Sequence, residues 1–302
     1  MSQASTLLHR AHYSTPMATY EDVLAAMPDA ELANLYVAND NPQEGEPPAG
    51  LVKEYKVVRP PNDLNNVYAV VSKQYQLIRH REVCEQIFET LDKIPGIDLK
   101  PSLRLSNNGG QMKLTFGFGE RLAINEKDWL QPSLHVLNSY DLSMNFSIMV
   151  GAMRLVCLNG LMAWSKHAGA AQKHIGRVRN LVEPAYIRQL VDNFAGEVLP
   201  VWRQAATIEL TKDRSENIFR YAHEGVKMPV NVIEAAEKIW NHRAGMDEVE
   251  RPGTAWVLYN TLTNVATHHR GLQLRKAMSV AKEKGLQEGS FKLLKDIVGG
   301  KV

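Results

Sequence analysis

The sequence predicts an α+β fold, an antiparallel sheet with helices packed on one face and a helical C-terminal half. Three observations carry that expectation. The turn signal "NNGG" at residues 107–110 separates two alternating segments, "PSLRLS" and "QMKLTFGFGE", as a hairpin turn does, because Asn and Gly tolerate positive φ. Directly after two strand-like segments, "RHREVCEQIFETLDKI" places Val83, Ile87, Leu91 and Ile94 at helical spacing. From Glu183 onward the pattern is helical.

Composition allows a sizeable core: 302 residues, 44% hydrophobic and 23% charged, are ordinary globular values. No apolar run approaches the roughly 20 residues that a bilayer span needs, and "MSQASTLLHRAHYSTP" lacks the order of a secretory signal. A soluble cytoplasmic protein with no membrane partner is expected. The two cysteines, Cys84 and Cys157, sit far apart in apolar patterns and read as reduced core residues, neither a disulfide nor a metal pair.

The net charge of +2 hides an asymmetry. Residues 1–50 carry Arg10 against Glu21, Asp22, Asp29, Glu31, Asp40, Glu44 and Glu46, a balance of −6 that leaves +8 on the rest. Three parts follow: an acidic mobile arm and linker over 1–50, a sheet-plus-helix core over 51–182, and a helical part over 183–302 that packs on the same core. Within the arm, a short acidic helix is expected around residues 20–37, followed by the linker "ANDNPQEGEPPAG".

The core begins with "KEYKVV" and "VYAVVS" as strands, then the helix from Arg79 and the hairpin. Leu103, Leu105, Met112, Leu114, Phe116 and Phe118 share the buried face of that hairpin. Its other face offers Ser102, Arg104, Ser106, Lys113 and Thr115, a wet and mildly basic surface. The stretch "LNSYDLSMNFSIMVGAMRLVCLNGLMAW" repeats this chemistry. Ser139, Asp141, Ser143, Asn145 and Ser147 alternate with Tyr140, Leu142, Met144, Phe146 and Ile148, which predicts a strand with a small polar face. Further on, Arg154 stands in an apolar run, where a guanidinium needs a carboxylate or an anion; Asp141 is the nearest candidate in sequence.

In the C-terminal half, Ile187, Leu190, Val191, Phe194, Val198, Val201 and Trp202 form one apolar stripe that Pro200 bends or divides. "PVNVIEAAEKIWNHR" is a second helix, and "GTAWVLYNTLTNVATHH" a third, capped by Thr254. Tyr259, Asn260, Thr263, Asn264, Thr267 and His268 give that third helix a polar stripe, which either faces water or closes over the sheet. "LRKAMSVAKEKG" and "SFKLLKDIV" read as two last, basic helices; residues 253–302 hold eight Lys/Arg against three acids.

Strong catalytic motifs are absent: there is no Walker loop, nucleophile elbow, zinc-protease helix or paired C-x-x-C. The histidines fall at no metal spacing, so neither a metal nor a cofactor is expected. The clearest signal is electrostatic. Between Leu142 and Val182 there is no acid, while Arg154, Lys166, Lys173, Arg177 and Arg179 lie there with His167 and His174, a field that suits a polyanion.

Three blocks, "LNSYD", "RLVCLNGL" and "WVLYNTLTNVATHH", resemble the signature of the phage/plasmid-like proteins that carry domain of unknown function 932, a group with prophage-encoded relatives in enteric bacteria. The pattern maps onto Asn138, Ser139, Asp141, Arg154, Cys157, Asn159, Trp256, Tyr259, Asn260, Thr263 and His268, and the resemblance spans roughly residues 65–285. It implies a mobile-element origin but no assigned activity. The order of strands and helix is also similar to the core of phage single-strand annealing proteins, a fold-level analogy.

With the basic stretch, this makes a single-stranded DNA binding or annealing protein of a phage or plasmid the expected function, oligomeric and acting in recombination. Arg104, Lys113, Ser139, Ser143, Asn145, Arg154, Lys166, Lys173, Arg177 and Arg179 are its expected contacts, mostly to phosphate. The competing expectation is an enzyme acting on a nucleotide or nucleic acid through Asp141, Arg154, Asn159, Asn260 and His268, with His268 as general acid/base. A third is an accessory factor whose acidic N-terminal arm docks a protein partner.

Overall fold

The computed structural model describes residues 15–16, 19–39, 49–63, 65–94, 101–126, 128–154, 159–162, 169–172, 174, 183–241, 253–268 and 278–302. In chain order these form β1 (Thr15–Pro16), α1 (Tyr20–Ala26), β2 (Glu31–Ala38), β3 (Ala49–Arg59), β4 (Ala69–Ser72) and α2 (His80–Leu91). Next come β5 (Ser102–Ser106), β6 (Gln111–Gly117), β7 (Leu122–Ala123), β8 (Trp129–Ser139), β9 (Phe146–Arg154), β10 (Asn159–Met162) and β11 (Gly169–Gln172). The rest is helical: α3 (Pro184–Asn193), a π-helical turn (Phe194–Val198), α4 (Leu199–Thr207), α5 (Lys212–Glu224), α6 (Val230–Asn241), α7 (Ala255–His268) and α8 (Val280–Val298).

The α+β class holds. An eight-stranded antiparallel sheet runs β1-β5-β6-β8-β9-β10, with β11 also on β9 and β7 on β8; a second sheet of three strands runs β2-β3-β4. The NNGG hairpin forms as expected, with Asn107 and Asn108 at φ 52° and Gly109 at φ 84°. A Cβ on Gly109 would stand 2.7 Å from Cγ of Pro28. Gly109→Ala therefore combines backbone strain with a clash, and we expect a loss of about 1–3 kcal/mol in urea unfolding.

Residues 20–37 are not the single acidic helix expected: α1 covers Tyr20–Ala26, β2 covers Glu31–Ala38, and both pack on or pair with other elements. Thr19 and Asp22 close a capping box on α1, Val23 is fully buried, and Tyr20 packs on Phe88 of α2 with ring centroids 4.6 Å apart. β2 then pairs with β3 along its length. The strand-favouring pair Tyr36 and Val37 could have signalled β2, but the acidic composition concealed it. Residues 40–48 of the expected linker lie outside the described residues.

One face of the large sheet is apolar and meets α2. Phe88 lies edge-on to Phe116 at 5.2 Å, and the Cys84 and Met112 sulfurs are 3.8 Å apart. Burial pushes the Cys84 thiol up to about 12, so it stays a neutral core residue. In the helical half, Trp202, Trp256, Tyr259 and Phe291 pack together, joining α4, α7 and α8. The π-helical turn precedes Pro200 and absorbs the discontinuity that Pro200 predicts. α7 is buried from Ala255 to Ala266, so its polar stripe faces inward. The two basic helices expected at the end include a single continuous helix, α8, capped by Ser279.

The other sheet face is not wet. Arg104, Ser106, Lys113 and Thr115 are buried and Ser102 nearly so, because α8 lies across them. The alternating segment from Ser139 to Ser147 is not one strand either: β8 ends at Ser139, β9 starts at Phe146, and the residues between make the turn, with Leu142 at φ 62° and exposed.

Candidate functional site

Sheet register decides which polar side chains meet beneath α8. Arg104 is opposite Lys113, Ser106 opposite Gln111, and Thr115 opposite His135. Successive strand residues alternate faces, so these groups form one polar layer behind the apolar one. α8 answers it with Glu283, which ion-pairs with Arg104 and accepts from Lys113 Nζ at 2.7 Å. Arg104 also donates to the Met278 carbonyl, the Val280 amide donates to Ser106 Oγ at 3.0 Å, and the Ala281 amide to Gln111 Oε1 at 3.2 Å. Burial, and then the Arg104 charge, pull Lys113 down to about 7, and burial takes Arg104 to about 10. His135 is buried between Thr115 and Ser133, and burial then Lys113 hold it neutral, well below the ordinary imidazole range.

Arg104, Lys113 and Ser139 thus hold the fold from inside. Ser139 Oγ donates to the Met144 carbonyl at 2.8 Å and accepts from the Met144 amide, which fixes the turn between β8 and β9. Ser143 bonds Asp141 and Gln111, and Asn145 is exposed with its carbonyl taken by Ser147. Lys166, Lys173, Arg177 and Arg179, like Cys157, lie outside the described residues.

Arg154 is fully buried, but its partner is Asp128. Arg154 Nε donates to both carboxylate oxygens at 2.9 Å, Nη2 stands 2.8 Å from Oδ2, and Trp256 Nε1 donates to the same oxygen at 2.7 Å. Register explains the choice. Arg154 pairs with Leu130 at the start of β8, next to Asp128, whereas Asp141 follows the other end of that strand. At about 3.3 Å per residue the two acids are on the order of 40 Å apart. Asp141 instead accepts from Asn107 at 2.6 Å, from Gln111 at 2.7 Å and from Ser143. Burial pushes its carboxyl up, but those hydrogen bonds outweigh it and hold it below the ordinary range.

The five residues of the enzyme expectation are therefore not one cluster. Asn159 is opposite Arg154 in the strand register of β10 on β9. Asn260 is one turn from Trp256 and donates to its carbonyl at 2.8 Å, which binds α7 to itself. His268 ends α7, about 18 Å along the helix from Trp256 at 1.5 Å per residue. Among the described residues, no group of three or more His, Cys, Asp or Glu side chains could hold a metal ion, and no helix is long and apolar enough to cross a membrane.

Near the NNGG turn, "LNSYD" has a second structural duty. Asn138 Nδ2 donates to the Ile78 carbonyl at 2.8 Å and lies 3.0 Å from His80 Nδ1, while Tyr140 stacks on His80 at 3.8 Å. His80 Nε2 reaches the Gly109 carbonyl, so the ring is neutral with its proton there, and burial takes it down to about 3. Beside it, Tyr75 and His174 share a 2.5 Å hydrogen bond, and burial lowers His174 to about 4.

Two further surfaces lie on residues that were not among the expected contacts, although the last helix was read as basic. At about 100° per residue, the side of α8 away from the sheet carries Lys282, Lys284, Lys292 and Lys295 with Glu288 and Asp296, the last buried and paired with Lys301. Lys284 pairs with Glu288, Lys295 lies 5.1 Å from the Phe291 ring centroid, and Lys282 and Lys292 are exposed with no ion pair among the described residues. Gly285 lies between them, with open space around its position. The second surface is the three-stranded sheet. Tyr36, Val37, Leu51, Tyr55, Val67 and Val70, all 46–58% exposed, cluster on it and its connection to β4. Glu283 could have been found from helical spacing, since it falls on the buried side with Val280, Leu286 and Leu294; Asp128 had no local signal, only strand register.

No curated protein and no solved structure matches the chain. Residues 67–296 match the family described as Domain of unknown function (DUF932), a stretch that contains Asp128, Arg154, Trp256 and Glu283 but not α1, β2 or β3. The chain belongs to the DUF932 family.

Proposed function

We propose that the protein is a non-enzymatic single-stranded nucleic-acid binding protein, of the annealing kind suggested by its resemblance to phage proteins, and that the outer face of α8 holds the phosphodiester backbone. The supporting observation is the distribution of charge on that helix. Three exposed lysines, Lys282, Lys292 and Lys295, face outward over about 20 Å of helix, while Lys284 is held by Glu288 and Glu283 is committed to the buried layer. Ammonium groups at this spacing suit phosphate contacts without sequence preference, and the open position at Gly285 lets a backbone approach closely. Exposed Tyr36 and Tyr55 offer π-faces of the kind on which unpaired bases stack.

This reading moves the interface from the hairpin face to α8. The basic segment with Lys173, Arg177 and Arg179 remains a candidate extension of it. The test is a triple variant, Lys282→Ala, Lys292→Ala and Lys295→Ala, titrated with a fluorescent oligothymidylate at several salt concentrations. Each lost contact should lower the log–log salt slope by about 0.7, so the slope should fall by roughly 2 and affinity by tenfold or more at low salt. Wild-type affinity and slope in the triple variant would place the interface elsewhere.

A further inference from the structure

The polar layer under α8 holds more positive charge than α8 answers. Arg104 and Lys113 are both buried there, and among the described residues Glu283 is the one carboxylate that reaches them. Hydrogen bonding in the layer is incomplete as well. Arg104 is only 4% exposed, yet its Nε has no hydrogen-bond partner, and neither has the buried Ser102 Oγ beside it on the same strand face. Two cations with an open donor position, flanked by the hydroxyls of Ser106 and Thr115, suit the several oxygens of a phosphate better than one carboxylate.

The bonds from α8 to β5 and β6 come from its N-terminal end, through the Val280 and Ala281 amides and Glu283. Val280 belongs to a small apolar cluster with Leu137, Met144 and Met149. From Leu286 onward the helix is held by the main core instead, through Phe291, Leu293, Leu294 and Ile297. Gly285 stands at that junction, and a glycine inside a helix weakens it there. The N-terminal end can therefore part from the sheet while the rest of α8 stays in the core. We propose that residues 279–284 are an autoinhibitory latch: Glu283 occupies the place of a phosphodiester between Arg104 and Lys113, and a single strand that displaces it gains both cations as contacts. The latch rests on the reading above for the class of its ligand, and adds a regulated site beneath the outer face of α8.

The test titrates a fluorescent oligothymidylate against the full chain and Glu283→Gln, which keeps the side-chain shape and removes the charge. Release of the latch should tighten binding about tenfold at low salt and raise the log–log salt slope by about 1.4, two contacts at roughly 0.7 each. The Val280 amide lies 3.0 Å from Ser106 Oγ, so Ser106→Cys with Val280→Cys places a lock across the latch. Oxidising that pair in the Glu283→Gln chain should return affinity and slope to wild-type values, and reduction should restore the gain. Should Glu283→Gln fail to fold, Glu283→Asp serves, its carboxylate one methylene shorter, with an expected gain of about threefold. A folded variant that binds no more tightly than the wild type, or a gain that the oxidised pair leaves untouched, overturns the latch. The outer face is judged separately: a gain that the lock abolishes, with no loss in the triple lysine variant, would keep the latch and reject the outer face.

Discussion

Replacing Asp128 by alanine should destabilise the fold by about 3–5 kcal/mol, because it leaves the fully buried Arg154 guanidinium without its carboxylate and the Trp256 N–H without its acceptor. Typical domains have about 5–15 kcal/mol in total, so the variant should show a large fall in its urea midpoint or fail to accumulate as folded protein. The ion pair itself contributes less than its loss suggests, since bringing both charges out of water offsets much of their attraction. The double change Asp128→Leu with Arg154→Met should therefore recover most of the stability. A single variant that loses under about 1 kcal/mol would mean that Arg154 finds another partner, and would undo the account of how β8, β9 and α7 are joined.

Acid should weaken the protein well above the range in which carboxylates titrate. His80, His135 and His174 are each held neutral by burial, His80 down to about 3 and His174 down to about 4, whereas the ordinary imidazole value is 6.5. Below about pH 6.5 the unfolded chain takes up protons that the folded protein does not. Stability must then fall as pH falls, and it levels off only when the folded sites titrate, near 4 for His174 and 3 for His80. Between pH 7 and pH 5 each histidine accounts for up to about 2 kcal/mol. Urea unfolding at the two values should show the drop, and His135→Gln should remove about a third of it. Equal stability at both would mean that these rings are reached by water.

Legibility followed the range of the interaction concerned. Helix α2, the NNGG hairpin and the Thr254 cap were readable because periodicity, turn chemistry and capping are local. Ser139 to Ser147 misled because a tight turn that uses Asp141 and Ser143 as side-chain acceptors has the same polar alternation as a strand. Ser102, Arg104 and Lys113 looked solvated because alternation shows which face a residue shares, while what covers that face is set by Glu283, some 170 positions away. The same applies to Arg154, whose partner is fixed by strand register and not by nearness in sequence. β2 was hidden by its acidic surroundings.

Binding of a labelled single strand by the wild-type chain, followed from about 50 to 200 mM salt, tests the proposed function most directly. We expect saturable binding to oligothymidylate that is indifferent to base sequence and weakens with a log–log slope of roughly 2 to 3, the value for three or four phosphate contacts at about 0.7 each. Absence of saturable binding at 50 mM salt, or binding whose affinity does not change with salt, would contradict it.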